Sequence, residues 1–398
     1  MKILHVISTM ADRYGGPVTV LRSLAQEQVR RGHEVTICAT NLDYPKGILD
    51  VATHEAVCEN GVAIWHHKLH FRPLHLSVAL GKWLLTYVAE YDVMHVHGLY
   101  RFPPTFAAAV ARQKGVPYLI KPHGSLDPYM YKQSGCSVPL KRLYERLFDF
   151  RNLNHAGAIH YTTDEEAARA AFLGLRAPKV VVRSGVDWEE YVSLPRRGLF
   201  RDQLGLRPDQ PLILFLGRLN FKKGLDLLIP AFGQVLRSLP DACLAIVGPD
   251  NEGFGAKVRQ WCIDNGVEQQ VAFVDHIPPK KTRQAYADAD VFALTSYTEN
   301  TGMTVVEAMA CGCPVVISDQ VNIWPVVDEA GAGVVIPLEL NKISDALLRV
   351  LRDRQAAARM GAAGRAAAKE QFSWENIVDE LDRVYEALAR GEPPVDAA

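Results

Sequence analysis

The chain has almost no net charge: 44 Lys and Arg stand against 45 Asp and Glu over 398 residues, a formal −1. A dedicated nucleic-acid binder needs a clear basic excess to neutralise phosphates, so that class is excluded. Cysteine is sparse and odd in number: Cys38, Cys58, Cys136, Cys243, Cys262, Cys311 and Cys313 are dispersed and form no CxxC pair. A disulfide framework and a zinc ribbon are thereby excluded, and a reduced, cytoplasmic compartment is expected. The single CxC, Cys311–Cys313, lies in an apolar run and reads as core. No stretch reaches the ~18 uninterrupted apolar residues of a membrane-spanning helix. The opening apolar run, Ile3–Ile7, is too short for a secretory signal. Any membrane contact is therefore expected to be peripheral, at the inner face. What remains is an ordinary globular balance, 48% apolar and 22% charged, at a length that suits two domains.

The apolar pattern is strand, helix, strand, helix. Ile3–Ile7 is followed by a Gly-rich turn, a helical stretch Val18–Arg31 closed by Gly32, and a strand Glu34–Ala39. Val93–Val96, Tyr118–Ile120, Ala158–Tyr161 and Val180–Val182 continue the series. The pattern restarts after a linker-like Leu194–Gly198, with strands expected at Leu212–Leu216, Cys243–Val247, Val271–Phe273, Val291–Leu294, Val315–Ile317 and Gly333–Ile336. Short buried strands alternating with helices make a parallel sheet covered on both faces. The expected fold is α/β, with two Rossmann-like doubly wound domains, 1–190 and 191–372, facing a cleft. A terminal segment, 373–398, carries an amphipathic stripe: Ile377, Val378, Leu381, Val384, Tyr385 and Leu388. Residues 1–190 carry a charge of +4 and residues 191–398 a charge of −5, so the first half suits an anionic substrate or surface.

In such sheets ligands sit outside the carboxyl ends of the strands, so the loops there are the candidates. Tyr14-Gly15-Gly16-Pro17 follows the first strand and opens a helix, where backbone amides can approach an anion. It lacks the GxGxxG spacing of a dinucleotide site. Lys121-Pro122-His123-Gly124-Ser125 presents a histidine able to donate a hydrogen bond or share a proton near neutral pH. Gly217-Arg218…Lys223-Gly224 delivers a guanidinium and an ammonium that suit a diphosphate. The segment 299–312 sets Glu299 in a loop and Glu307 within the helix that follows. The amides of Gly302, Met303 and Thr304 lie at that helix's N-terminus and can receive phosphate oxygens.

Taken in order, Gly15-Gly16, Ser184-Gly185-Val186-Asp187, Gly217-Arg218…Lys223-Gly224 and the E-x7-E element Glu299…Glu307 resemble the retaining glycosyltransferases of family 4, which have the GT-B fold. The resemblance implies transfer of a sugar, here expected to be a hexose, from a nucleotide-diphosphate sugar with retention of configuration and no metal cofactor required; the base and the sugar are not given by the sequence, and the expected donor is GDP-mannose or UDP-hexose. It implies that Arg218 and Lys223 bind the diphosphate, that Glu307 holds the ribose hydroxyls and that Glu299 lies at the sugar hydroxyls. It further implies that His123 contacts the donor sugar, that Gly16 approaches the phosphate and that the terminal helix crosses back to the first domain. The acceptor would be a saccharide or a polyprenyl-diphosphate-linked saccharide, in surface polysaccharide or glycolipid synthesis. Two departures bear on sugar identity: Thr301 where the family has an aromatic residue or Pro, and Ser184 where Asn is frequent. A nucleotide-sugar epimerase, a small-metabolite glycosyltransferase and a non-catalytic nucleotide-sugar binder are the competing readings.

Two metal-like patterns read otherwise. Asp288-Ala289-Asp290 precedes a strand instead of following one and suits capping. His95-x-His97 has no matching carboxylate cluster. On the acceptor side, Lys132, Lys141, Arg142, Arg146 and Arg151 surround a helix bearing Leu140, Leu143, Tyr144, Leu147 and Phe148. Such a helix either packs on the core with a solvated basic face or meets an anionic lipid surface.

Overall fold

The computed structural model describes every residue except 44–45, 130–141, 251–252, 276 and 395–398. The chain divides into two compact units, Met1–Gly185 with Trp374–Ala398, and Val186–Ser373.

The first unit is an eight-stranded sheet. Its order is Lys179–Val181, Ala158–Tyr161, Tyr118–Lys121, Val93–His97, Lys2–Thr9, Glu34–Thr40, Val62–His67 and Ala56–Glu59. All pairings are parallel except the last, which is antiparallel. Helices cover both faces, so the inner strands are largely buried; Val93–His97 has no exposed residue,. The first helix runs Gly16–Arg30, two residues earlier than expected, because Pro17 occupies its first turn, where a missing N–H costs nothing,. Val18, Leu21, Leu24, Ala25 and Gln28 form its buried stripe.

The terminal helix, Trp374–Ala389, belongs to this unit. Its apolar stripe is buried at Ile377, Val378, Leu381, Val384, Tyr385 and Leu388. Trp374 Nε1 donates to Ser23 Oγ at 2.8 Å, and Arg31 pairs with Asp379. Each buried aliphatic contributes about 1.5–3 kcal/mol, an exposed ion pair about 0–1. The stripe therefore holds the helix in place and the ion pair only orients it.

The second unit is a six-stranded, wholly parallel sheet. Its order is Val271–Val274, Cys243–Val247, Leu212–Leu216, Val291–Leu294, Val315–Ser318 and Gly333–Ile336. The boundary falls at Gly185/Val186 instead of residue 190, because Val186, Trp188 and Tyr191 pack into this unit's core. Cys311 and Cys313 are buried there as well, and all six described cysteines are free; Cys136 lies outside the described residues.

The Asp288-x-Asp290 pair is structural. Asp288 is fully buried and accepts the backbone N–H groups of Gly198, Phe200 and Arg201 at 2.5, 2.6 and 3.0 Å. These are the orphan donors at the start of the helix Leu199–Leu204,. Asp290 pairs with Arg201, only 2% exposed, and takes the amide of Leu212. No carboxylate oxygen pair is left to present to a cation. We expect Asp288→Ala to lower stability by about 2–3 kcal/mol, measured as a fall in urea midpoint that Mn²⁺ or Mg²⁺ does not reverse.

Candidate functional site

In the second unit the chemistry collects at one sheet edge. Leu212–Leu216 and Val291–Leu294 are neighbouring parallel strands, so their following loops emerge side by side. Two glycines then bring backbones into contact. Gly224 lies at φ +65, and a Cβ there would sit 1.8 Å from the Thr295 carbonyl oxygen; Gly248, at φ +141, would meet the Gly217 oxygen at 2.1 Å,. Tyr297 N donates to Lys222 O at 2.7 Å, and Thr295 Oγ1 to Gly224 O at 2.9 Å. This stitching carries the Lys223 ammonium onto Glu299, with which it forms an ion pair. Glu299 is held in turn by the next loop along: its amide donates to Gln320 O and its carbonyl accepts from Asn322 N, both at 3.1 Å. Arg218, on the same loop as Lys223, is half-buried and makes no ion pair among the described residues.

Gly302, at φ +68, turns the chain into the helix Met303–Ala310, whose first turn has no side-chain cap. The amides of half-buried Met303 and Thr304 therefore stand at an open helix N-terminus,. Glu307 lies one turn further and accepts the Tyr286 hydroxyl at 2.9 Å. Burial pushes its carboxyl up from an ordinary 4.5 to about 7, the Tyr286 hydrogen bond opposing the rise,. The structure thus joins Lys223 to Glu299 and Glu307 to Tyr286. Neither partnership was legible in the spacing.

In the first unit, Gly15 adopts φ +89 and starts the helix Gly16–Arg30 without a side-chain cap. A Cβ at Gly16 would meet no atom within 4 Å, so the unit's own packing does not require glycine there.

His123 follows the strand Tyr118–Lys121 and has φ +52, with Gly124 after it at +73. Two consecutive left-handed residues, the first of them not glycine, need external support. Glu166 supplies it: its carboxylate accepts Gly124 N, Thr162 N and Thr162 Oγ1 at 2.8, 2.8 and 2.9 Å. Lys121 is fully buried and donates to Ser184 Oγ at 2.9 Å. Burial lowers its ammonium to about 8, with Glu166 opposing. Burial, and then the Lys121 charge, lower His123 to about 3. That direction favours a neutral imidazole at His123, and of the two roles expected for it supports the hydrogen bond over the shared proton. Glu166 was missed at the sequence level. The signal for it was Thr163-Asp164-Glu165-Glu166, a capping-box pattern whose Thr163 Oγ1 accepts Glu166 N at 3.1 Å,.

The helix that follows residues 130–141 departs from the core-packed expectation. Lys132, Leu140 and Lys141 lie outside the described residues. Beyond them Leu143, Leu147 and Phe148 are 53, 56 and 49% exposed, while Glu145 and Asp149 are buried. The acids face inward because they have partners: Tyr100 donates its hydroxyl to Glu145 at 2.6 Å, and Tyr100 N and Thr105 Oγ1 bond Asp149 at 3.0 and 2.7 Å.

Two open parallel sheets, each with its candidate groups in loops at strand carboxyl ends, are the architecture of the GT-B glycosyltransferases. Sucrose-phosphate synthase from Thermosynechococcus elongatus superposes with a TM-score of 0.80 at 22% identity, covering 98% of this chain and all of that one. HepE from Anabaena, solved with UDP and glucose, gives 0.77 at 20% identity over 97% of this chain and all of that one. In sequence, residues 15–185 match the glycosyl transferase 4-like domain and residues 197–367 the glycosyl transferases group 1 model. The chain belongs to glycosyltransferase family 4 and is an enzyme that transfers a sugar. A GDP-mannose-dependent alpha-(1-6)-phosphatidylinositol monomannoside mannosyltransferase from Mycolicibacterium smegmatis is 28% identical over 94% of this chain and 95% of its own length. A D-inositol 3-phosphate glycosyltransferase from Nocardia farcinica is 32% identical over 52% of this chain and 47% of its own.

The raised carboxyl of Glu307 gives a signed prediction. It favours the folded chain while protonated; that contribution is complete below pH 4.5 and lost as pH rises through about 7,. Glu307→Gln cannot ionise, so its melting temperature relative to the native chain should rise between pH 5 and pH 8. A difference that stays constant with pH would contradict the assignment.

Proposed function

We propose that the chain moves a hexose from a nucleotide-diphosphate sugar to a hydroxyl of a saccharide or lipid-linked saccharide, retaining the anomeric configuration and requiring no metal. The observation that carries this reading is the second unit's loop 217–224, which presents Arg218, without an ion pair among the described residues, and Glu299-held Lys223 beside an uncapped helix N-terminus. Departure of a nucleotide diphosphate builds negative charge on its outer phosphate. Fixed cations and helix amides stabilise that charge without reorganising. Arg218 forks two phosphate oxygens, and Lys223 adds a point charge whose geometry Glu299 sets. Glu299 also accepts from hydroxyls of the transferred sugar. Glu307 receives the ribose hydroxyls on its carboxylate. The Gly15–Gly16 turn approaches the phosphate and His123 a sugar hydroxyl. The acceptor hydroxyl attacks the anomeric carbon on the face the diphosphate leaves. The departing phosphate oxygen takes the hydroxyl proton, so no protein base is needed.

GDP-mannose is the favoured donor. The Mycolicibacterium relative, similar over nearly the whole chain, is GDP-mannose-dependent by name; UDP-hexose is the alternative. Isothermal calorimetry and transfer assays with GDP-mannose and UDP-glucose decide between them. Arg218→Ala and Lys223→Ala should each weaken donor binding by about 100-fold, the scale of removing one partner of a desolvated charge pair. Donor affinity unchanged in Lys223→Ala would overturn the diphosphate assignment.

The acceptor side supports a lipid-linked substrate. Exposed Leu143, Leu147 and Phe148 flank exposed Arg142 and Arg146. Apolar insertion together with cationic attraction is the pattern of a helix lying on an anionic interface. Co-sedimentation with phosphatidylglycerol vesicles should fall when Arg142 and Arg146 become Glu, and again with Leu147→Ser. Equal sedimentation of all three proteins would remove the membrane reading.

A further inference from the structure

The first unit buries an unusual run of histidines that the proposed chemistry leaves unused. His5, His95, His97 and His160 are all 2% exposed or less, on three strands of one sheet. His5, His95 and His97 bring ring nitrogens within 4.8 Å of one another. A metal is a poor fit there. The donor set is neutral and buried with no carboxylate or thiolate, and every ring nitrogen of the three already has a hydrogen-bond partner.

Those bonds have a direction, which follows from one end. His160 Nε2 lies 2.8 Å from the Val182 carbonyl oxygen, which only accepts, so Nε2 carries the proton,. A neutral His160 then offers Nδ1 as an acceptor, and His95 Nε2 donates to it at 3.3 Å. His95 Nδ1 accepts the Tyr385 hydroxyl at 2.8 Å. With its proton committed, the Tyr385 oxygen accepts from Gln28 Nε2 at 3.4 Å. The amide orientation is now set, and Gln28 Oε1 accepts His5 Nε2 at 2.8 Å. His5 Nδ1 accepts His97 Nε2 at 3.0 Å, and His97 Nδ1 accepts His123 Nε2 at 3.2 Å. The last ring in the chain is the half-buried histidine of the strand-end loop.

We propose that this buried relay is a positioning device that holds His123 in the Nε2–H tautomer, leaving its Nδ1 as a lone-pair acceptor for a sugar hydroxyl. This deepens the reading of His123 as a donor-sugar contact and rests on it. An unprotonated imidazole nitrogen accepts from a hydroxyl and repels an anionic phosphate, so the tautomer also selects what the ring touches. Neutrality is favoured by burial first, then by the neighbouring rings and the Lys121 charge: His5 is lowered to about 4, and His95, His97 and His160 are held well below the ordinary imidazole range. The amide of Gln28 breaks the path for proton hopping, so the device orients and does not conduct. Gln28 and Tyr385 are its positioning residues, and through Tyr385 the terminal helix sets a tautomer on the far side of the sheet's histidine stack.

The test is ¹⁵N NMR of the full-length chain labelled at histidine, with His123 assigned by its loss in His123→Asn. At neutral pH, long-range ¹H–¹⁵N correlations should show His123 protonated at Nε2 and bare at Nδ1. Protonation at Nδ1, or a mixture of tautomers in the native chain, overturns the proposal, and this spectrum needs no variant. Gln28→Met removes the acceptor for His5 and should mix the His123 tautomers. Sugar turnover, assayed with GDP-mannose and UDP-glucose, should fall about three- to tenfold, the worth of one neutral hydrogen bond. Gln28→Glu keeps an acceptor at that point and should retain the single tautomer. A single unchanged tautomer and full turnover in Gln28→Met would also overturn the relay. The two readings fail separately. Absence of nucleotide-sugar binding by a chain with the Nε2–H tautomer rejects the proposed function alone. Donor binding by a chain with His123 protonated at Nδ1 rejects the relay alone.

Discussion

A parallel sheet delivers the carboxyl ends of neighbouring strands to one edge, about 4.8 Å apart, and the candidate chemistry of this protein depends on that delivery. In the second unit it sets the loop after Leu212–Leu216 against the loop after Val291–Leu294, and Gly224 closes the remaining distance to the Thr295 carbonyl. Lys223 and Glu299, 76 residues apart in the chain, become an ion pair because their strands are adjacent. Both side chains are mostly buried, so their attraction is largely offset by the loss of hydration,. The pair's effect is to point an ammonium in one direction.

The first unit solves a different problem, that of holding polar side chains inside a covered sheet. A buried imidazole without partners would cost several kcal/mol. Here each ring satisfies the next, and the chain of bonds ends on a backbone carbonyl that cannot donate. Burial, and after it the neighbouring rings and Lys121, disfavour the charged form of these rings. Glu166 works in the same region by another means, bracing the left-handed turn at His123 and Gly124 with three accepted hydrogen bonds. Order in this part of the unit comes from polar groups whose partners are fully specified.

The helix at 142–154 shows how partner availability overrides hydrophobic pattern. Its leucines and phenylalanine have helical spacing suited to a core, yet Glu145 and Asp149 take the inward side because Tyr100 and Thr105 wait there with hydrogen bonds. Burial raises Asp149 to about 6, and those bonds hold it down from going higher. The apolar residues Leu143, Leu147 and Phe148 are left outside.

Periodicity by itself determined the two parallel-sheet units, most strand positions, the buried stripe of the terminal helix and the loops worth reading, because strand and helix periods and strand-end glycines are local properties. The capping role of Asp288 was legible for the same reason: its place before a strand is a local fact. Only tertiary structure decided the partners. Lys223 with Glu299, Glu307 with Tyr286, Lys121 with Ser184 and Glu166 beneath His123 all join residues from separate elements. So does the run from Val182 through Gln28 to His123, which draws on three strands, two helices and two strand-end loops. Spacing along a chain carries no information about which side chains a sheet order will bring face to face. Nor does it show how burial then moves their proton affinities, as it does for His123 and Glu307 in opposite directions.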